Sequence, residues 1–196
     1  IFYLISVAII LNIETSTKVC SVSLSKDGDN ISLEETYAKN SHSELITVFI
    51  EKVLKEGRIK AEGLDAVAIS MGPGSYTGLR IGVSTAKGIC YATDKPLISV
   101  STLQAMALGM TKRDEIRKLD QYVLFCPMID ARRMEVYSAL YDMNNIPVRD
   151  IRAEIIDEHS FDSYLNNHKI IFFGDGASKC RDVLSHHKNA VFIDDI

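Results

Sequence analysis

The same local pattern occurs twice in this chain, near its start and again in its second half. An apolar run over residues 8–14 ends on Glu14 and is followed by a polar turn and a second apolar segment. A run over residues 123–129 ends on Asp130 and continues in the same way. Each copy predicts a buried strand, a tight turn and an antiparallel return strand. Two copies predict duplication of one supersecondary unit. A chance similarity is the alternative, because strand-turn-strand patterns are common.

The segments that follow each hairpin alternate between strands and helices. We predict further strands over residues 31–37, 64–70, 97–100, 169–173 and 190–193, and helices over residues 43–56, 76–91, from about 102 and over 177–185. Ser41 and Glu44 have the spacing of a capping box at the first helix, and Gly57 is predicted to end that helix in a left-handed conformation. The stretch between residues 141 and 169 is predicted to be mainly a polar connection. Strands that alternate with helices indicate an α/β fold.

Length and composition fit one large domain or two small globular lobes. We place the lobes at residues 1–100 and 101–196. The chain has 196 residues, of which 46% are hydrophobic and 24% are charged, and these values are typical of soluble domains. The net charge of −4 argues against a protein that grips nucleic acid unaided, because phosphate binding needs a clustered excess of Lys and Arg.

Neither a disulfide framework nor a membrane segment is indicated. The four cysteines lack CxxC spacing, so a reducing cytoplasm fits them best. The apolar opening over residues 1–13 is shorter than the ~20 residues of a membrane-spanning helix, and it lacks the basic segment of a secretory signal. We therefore expect a cytoplasmic protein.

A glycine-rich segment, Gly72–Gly78, lies between a predicted strand and a predicted helix. Such a turn can bind an anion, but this one matches no known phosphate motif. The Walker pattern needs Gly, Lys and Ser or Thr in series, whereas Lys87 follows an alanine, and the dinucleotide fingerprint needs a glycine where Thr77 stands. A structural turn is at least as good an interpretation. Ser75 is better explained as a helix cap than as a nucleophile, because Pro73 and Thr77 replace the glycines of a nucleophile elbow.

The histidines suggest no catalytic or metal centre, and we predict no cofactor. The five histidines include no His-x-x-x-His pair, and the adjacent His186 and His187 cannot face one site on a regular element. Glu14 and Asp130 end the first strand of each lobe, where carboxylates can hold a metal-bound phosphate between duplicated lobes. Equally, each can organise its own turn by accepting hydrogen bonds from backbone amides.

The second predicted helix carries a stripe of small residues, Gly78, Gly82 and Ala86, which recur every four positions and share one face. Such a stripe lets another helix approach closely, with Leu79 and Val83 packing across the contact. The alternative is that the stripe packs against its own sheet. The spacing alone does not choose between the two interpretations.

Four segments, in the expected order, carry a resemblance to a known family. Gly72–Gly88 closely resembles the signature of the TsaB family, formerly called YeaZ. The segments Ile10–Thr17, Ile129–Tyr137 and Gly174–Lys179 support the match. The resemblance therefore extends over nearly the whole chain.

This resemblance implies an actin-like (ASKHA, ribonuclease H-like) fold of two lobes, with duplicated mixed sheets flanked by helices. It implies a non-catalytic dimerisation subunit of the complex that makes threonylcarbamoyladenosine at adenosine 37 of tRNA. The implied partners are a TsaD-like catalytic subunit, a TsaE-like ATPase and, for the isolated protein, a second copy of itself. Contact with tRNA would be indirect, through the complex. The absence of the His-x-x-x-His of TsaD agrees with the supporting role.

The resemblance also implies where the sites lie. A weak, vestigial nucleotide site would involve Glu14, Asp130, Gly174 and Gly176, although Glu14 stands where the family commonly has Asp. Pairing would use helices of the first lobe. The residues concerned are Phe49, Val53, Gly78, Leu79, Gly82, Val83 and Ala86.

Two rival enzyme functions remain, beside a direct tRNA-binding module that the net charge of −4 disfavours. The family pattern also departs at one end. One rival is an ATPase or small-molecule kinase of the same fold, with Glu14 and Asp130 on Mg²⁺ and the Gly174 turn on adenosine. The other is an M22 glycoprotease-like peptidase, which would need a metal pair or an activated nucleophile. The chain also stops short of a C-terminal helix that we expect to pack on the first lobe.

Overall fold

The computed structural model describes residues 7–37, 42–117 and 122–194. The chain divides into two compact units, Ile1–Val100 and Ser101–Ile196. Each unit is built on its own five-stranded sheet. No helix in the described part of the chain is long and apolar enough to cross a membrane.

The first unit places the strand that ends on Glu14 in the middle of its sheet. Its elements are β1 (Ile9–Glu14), β2 (Cys20–Lys26), β3 (Asp29–Thr36), α1 (His42–Glu56), a 3-10 turn (Ala61–Gly63), β4 (Ala66–Gly72), α2 (Tyr76–Thr93) and β5 (Leu97–Ser101). The strand order is β3-β2-β1-β4-β5. Strand β1 pairs antiparallel with β2 and parallel with β4.

The second unit repeats this arrangement. Its elements are α3 (Thr102–Thr111), α4 (Asp114–Arg117), β6 (Val123–Asp130), β7 (Glu135–Tyr141), β8 (Pro147–Ile155), α5 (Asp162–Leu165), β9 (Lys169–Phe173), a 3-10 turn (Ser178–Cys180), α6 (Arg181–Leu184) and β10 (Ala190–Ile193). The strand order is β10-β9-β6-β7-β8. Strand β6 is antiparallel to β7 and parallel to β9, as β1 is to β2 and β4. The predicted α/β fold with duplicated mixed sheets and flanking helices is confirmed.

The core of the first unit follows from two periodicities. Alternate residues of β2, such as Val22 and Leu24, face one side of the sheet and are fully buried. The residues of α1 at helical spacing, including Ile46 and Val53, are buried against the same cluster. Burying each such side chain contributes about 1.5–3 kcal/mol, so the packing of α1 on β2 fixes one face of the sheet.

The sheet of the second unit is covered on both faces. Phe172 belongs to one buried cluster with Phe161, whereas the adjacent Phe173 belongs to another cluster with Phe125. Successive residues of a strand point to opposite faces. Strands β6 and β9 therefore read as continuous apolar runs, as expected for strands buried on both sides.

One prediction for the second unit was wrong, and a second was right only in part. The stretch predicted as a polar connection contains β8, a nine-residue edge strand that pairs antiparallel with β7. The helix predicted over residues 177–185 is instead a 3-10 turn followed by the single-turn helix α6.

The end of α1 also differs from its prediction. The left-handed residue is Arg58, with φ of 55°, not Gly57. The amide of Ile59 donates to the carbonyl of Leu54 at 3.0 Å, which is the closing bond of a Schellman motif. A Cβ at Gly57 would lie 2.4 Å from Leu24 Cδ2, so a larger residue there would require the buried Leu24 side chain to shift. Ser41 of the predicted capping box lies outside the described residues.

Candidate functional site

The turn after β1 is organised by the carboxylate of Glu14. Glu14 Oε1 accepts a hydrogen bond from the backbone amide of Ser16 at 2.6 Å. Thr15 and Ser16 are both buried. This hydrogen bond is the one that the turn-organising interpretation of Glu14 requires.

The glycine-rich loop is docked directly on this turn. The amide of Ser75 donates to the carbonyl of Ser16 at 2.6 Å. A Cβ at Gly74 would lie 2.3 Å from the same carbonyl oxygen, and Gly72 has a φ of 101°. Only glycine permits both the left-handed backbone and this close approach. The loop therefore serves to bring two backbone segments into contact.

The loop continues into α2 through a side-chain cap. Ser75 Oγ accepts a hydrogen bond from the amide of Gly78 at 3.2 Å, which makes Ser75 the N-cap of the helix. The predicted capping role of Ser75 is confirmed. Its hydroxyl is occupied by the helix terminus, an arrangement that differs from that of an activated nucleophile.

The small-residue stripe of α2 faces the unit's own sheet. Gly78, Gly82 and Ala86 are all buried. A Cβ at Gly82 would lie 2.3 Å from Thr15 Oγ1 and 2.9 Å from Ile69 Cδ1. Of the two interpretations of the stripe, the structure has the one in which it packs against its own sheet. These three positions are therefore not on the surface of the unit.

The other residues predicted at a partner interface are also largely covered. Phe49 and Val53 belong to the core between α1 and the sheet. Leu79 and Val83 are only partly exposed. These predicted interface residues therefore pack largely within the first unit, and pairing through them stays a prediction.

An outer face of α2 remains open. It consists of Tyr76, Arg80, Ser84, Lys87 and Tyr91, which are all exposed. Tyr76 is 73% exposed and Tyr91 is 93% exposed. Arg80 lies over the ring of Tyr76, with its guanidinium carbon 5.2 Å from the ring centre. Large exposed aromatic rings on a helix are typical of protein interfaces.

In the second unit, Asp130 holds the corresponding turn. Asp130 Oδ1 accepts hydrogen bonds from the amide of Arg132 at 2.8 Å and from Lys179 Nζ. Lys179 Nζ also donates to the carbonyl oxygens of Arg133 at 2.8 Å and Glu135 at 2.7 Å. Lys179 ends the segment Gly174–Lys179, which supports the family resemblance. No sequence pattern predicts this role for it. Its position in the chain does not predict contact with a turn 46 residues away.

The turn between β9 and α6 is docked on the end of β6. Gly174 has a φ of 97°, and a Cβ there would lie 2.4 Å from the carbonyl oxygen of Met128. The amide of Gly176 donates to the same carbonyl at 3.1 Å, and Asp175 Oδ1 accepts from the amide of Asp130 at 3.0 Å. The structure therefore brings Asp130, Gly174 and Gly176 together, and the contacts that join them are made to the backbone of β6.

The described residues do not form a metal centre or a reactive thiol. No group of three or more His, Cys, Asp or Glu side chains within them is placed to hold a metal ion. Asp130 is paired with Lys179. Burial raises the pKa of the Cys126 thiol far above its usual range, and burial with the nearby Glu14 carboxylate raises that of Cys20. Such thiols are poor nucleophiles.

Comparison with known sequences gives one family and a set of relatives. The family described as "TsaD: tRNA N6-adenosine threonylcarbamoyltransferase" matches residues 34–187. The chain is 33% identical over 136 residues to the tRNA threonylcarbamoyladenosine biosynthesis protein TsaB of Bacillus subtilis (strain 168), covering 69% of this chain and 56% of that protein. It is 34% identical over 139 residues to TsaB of Escherichia coli (strain K12), covering 70% and 57%. The matches span little more than half the length of these relatives.

A solved structure has the same fold. The structure described as "YeaZ from Pseudomonas aeruginosa" superposes with a TM-score of 0.79, covering 96% of this chain and 85% of that chain. The sequence identity of this pair is 21%. This likeness shows that the two proteins share a fold.

Proposed function

From the premise that this chain belongs to the TsaB (YeaZ) family, within the wider family of tRNA N6-adenosine threonylcarbamoyltransferase, we propose that it is a non-catalytic subunit in the formation of threonylcarbamoyladenosine on tRNA. It supports a TsaD-like catalytic subunit, and a TsaE-like ATPase joins the assembly. The isolated protein pairs with itself. Contact with tRNA is made through the complex, in the reducing cytoplasm.

One observation carries the non-catalytic role. Three side chains were candidates for a catalytic or metal-binding role, and each accepts a hydrogen bond from a backbone amide. The pairs are Glu14 with Ser16, Ser75 with Gly78, and Asp130 with Arg132. Active sites need acids, bases and nucleophiles that are free to reach a substrate. The groups here stabilise the turns on which α2 and β7 are mounted.

We propose that pairing uses the outer face of α2 rather than its small-residue stripe. The stripe supports this role indirectly, because it lets α2 lie close against the turn after β1 and fixes the direction of the outer face. Tyr76 and Tyr91 stand near the two ends of the helix, with Arg80 between them. Aromatic and arginine side chains contribute most of the binding energy in many interfaces.

Replacing Tyr91 by Ala is expected to weaken the complex with a TsaD-like subunit by about 30-fold, which corresponds to the ~2 kcal/mol that an aromatic hot-spot contact contributes. The circular dichroism spectrum and the melting temperature should not change, because Tyr91 is almost fully exposed. Isothermal titration with the purified partner measures the affinity. Tyr122→Ala, at an exposed tyrosine of the second unit, is the matched control and should bind normally. Equal affinity of the Tyr91 and Tyr122 variants would contradict the assignment of the outer face.

The rival kinase or ATPase function makes the opposite prediction for the isolated protein. We expect ATP hydrolysis no faster than in a buffer blank, because Asp130 is occupied by Lys179 and no metal cluster is formed within the described residues. A colorimetric phosphate assay on highly purified protein measures this. Hydrolysis that persists through purification and is lost in Asp130→Asn would establish the enzyme and overturn the non-catalytic role.

A further inference from the structure

The turn between β6 and β7 has an unusual backbone. Arg132 and Arg133 both adopt left-handed conformations, with φ of 74° and 49°. Tight hairpin turns that need this conformation normally carry Asn or Gly, because a Cβ is disfavoured there. Two consecutive arginines in such a turn are a strained choice. Strain of this kind persists where the surroundings enforce it, and it often marks a binding site.

The surroundings do enforce it here. Lys179 binds the carbonyl oxygens of Arg133 and Glu135, and Asp130 binds the amide of Arg132. The charge of Lys179 is compensated by Asp130. These hydrogen bonds hold the backbone of the turn in place from one side. The two arginine side chains are exposed to solvent.

Both guanidinium groups are available to a ligand. Arg132 and Arg133 are exposed, and neither guanidinium forms an ion pair or a hydrogen bond with the rest of the described chain. They lie beside a shallow cleft of about 370 Å³, whose lining is Ala131, Arg132, Arg133, Met134, Glu135 and Ile155. Two cations thus face the cleft against one carboxylate, in a protein whose net charge is −4.

The cleft also has an apolar side that continues along β8. Met134 is 43% exposed and Ile155 is 70% exposed. Strand β8 lies at the edge of its sheet. Ala153 and Ile155 share one face of it, and Ile151, beside the register shift of this strand, is exposed as they are. An open edge strand with an exposed apolar row can pair with an extended segment of another chain.

We propose that this surface, the Arg132–Arg133 turn together with the outer edge of β8, binds an extended acidic and aliphatic segment of a partner protein. The carboxylates of the segment bind the two guanidinium groups, where bidentate contacts are favoured. Its aliphatic side chains cover Met134, Ile151 and Ile155. Because this surface belongs to the second unit and α2 belongs to the first, the proposal stands apart from pairing through α2.

The chemistry of the cleft favours a protein segment over RNA. Its lining has no aromatic ring on which a base could stack. Glu135 would repel a phosphate, and the apolar Met134 and Ile155 would remain uncovered by a sugar-phosphate backbone. A peptide with alternating carboxylates and aliphatic side chains matches both the charge and the apolar row.

The test uses the whole chain and a short fluorescein-labelled peptide in which Glu alternates with Val. Fluorescence anisotropy should show binding that weakens with added salt. The double variant Arg132→Gln and Arg133→Gln should lose about ten-fold or more in affinity, since each lost charged hydrogen bond contributes on the order of a three-fold change or more. The matched control is Arg58→Gln with Arg113→Gln, which removes the same charge at two other exposed arginines and should bind as the unmodified protein does.

Three outcomes would overturn the proposal. They are equal affinity of the double variant and the unmodified protein, an equal loss in the control, and equal binding of a peptide with Lys in place of Glu. Binding of tRNA that is lost only in the Arg132 and Arg133 variant would instead make RNA the occupant.

A second pair of variants separates folding from binding. Arg133→Gly and Arg58→Gly each relieve a left-handed arginine, so each should leave the melting temperature unchanged or raise it by about 2–4 °C. Only Arg133→Gly should weaken peptide binding. Equal peptide affinity of these two variants would contradict the proposal, whatever their stability.

Discussion

Gly78→Ala is expected to destabilise the first unit by about 3 kcal/mol or more, although it adds a single methyl group. The new Cβ would lie 2.1 Å from the carbonyl oxygen of Thr15. That oxygen is backbone in a buried turn, so it cannot rotate away as a side chain would. Relief requires α2 to move off the turn, which would also break the hydrogen bond from the amide of Ser75 to the carbonyl of Ser16.

The same helix provides the control. Gly88 is exposed, and a Cβ there would meet nothing within 4 Å. Gly88→Ala should therefore stabilise the protein by about 0.5–1 kcal/mol, because alanine is the better helix former. Urea denaturation followed by circular dichroism gives both values. If Gly78→Ala unfolded at the same urea concentration as Gly88→Ala, α2 would not be held against the turn as the structure has it.

Arg149→Ala is expected to destabilise the second unit by about 3–5 kcal/mol, as is typical when one partner of a buried ion pair is removed. Arg149 on β8 is only 6% exposed. Its Nη2 lies 2.6 Å from both Glu154 Oε1 and Ser138 Oγ, and its guanidinium carbon lies 4.5 Å from the ring centre of Phe161. Truncation leaves the Glu154 carboxylate without its cation and opens a cavity beside Phe161.

Two comparisons test the physical cause of this loss. Arg152→Ala, at an exposed arginine on the same strand, should change stability by less than about 0.5 kcal/mol. The double variant Arg149→Met with Glu154→Gln removes both charges and keeps most of the volume, so it should recover part of the loss. Thermal unfolding by circular dichroism is the measurement. A loss in Arg149→Ala no larger than in Arg152→Ala would show that the buried pair does not hold β8 in place.

Most of the fold could be predicted because most of its strands are buried on at least one face. Strands β6 and β9 read as unbroken apolar runs, since residues such as Phe125 and Phe172 face covered sides of the sheet. The repeated acid at the end of the first strand predicted the duplication. Hydrophobic periodicity carries this information whenever the pattern of burial is regular.

Strand β8 was missed because its burial is irregular. Its pairing with β7 shifts register between Ser138 and Leu140, which breaks the two-residue period. Its one fully covered position is Arg149, whereas its apolar residues Ile151 and Ile155 face solvent. Local hydropathy therefore predicts the wrong residues to be buried. The strand is held by an ion pair and by its pairing with β7, and both are visible only in the tertiary structure.

The sites were predicted in part. Glycine spacing identified the helix face on which Gly78 and Gly82 lie, but spacing cannot say whether that face meets a partner or the unit's own sheet. The role of Ser75 was predictable because N-capping is a local interaction. The contact of Lys179 with the turn at Arg133 is not local, and no periodicity in the sequence encodes it.

The two hairpins keep one hydrogen bond in common although their turns differ. In both copies the terminal acid accepts the amide two residues further on, Ser16 for Glu14 and Arg132 for Asp130. The first copy is sealed beneath the glycine loop, whereas the second projects its arginines into solvent. Once the shared hydrogen bond secures the turn, the side chains that follow it can diverge in each copy without loss of the hairpin. The two hairpins therefore differ at their turns, whereas the strand order and pairing of the two sheets correspond.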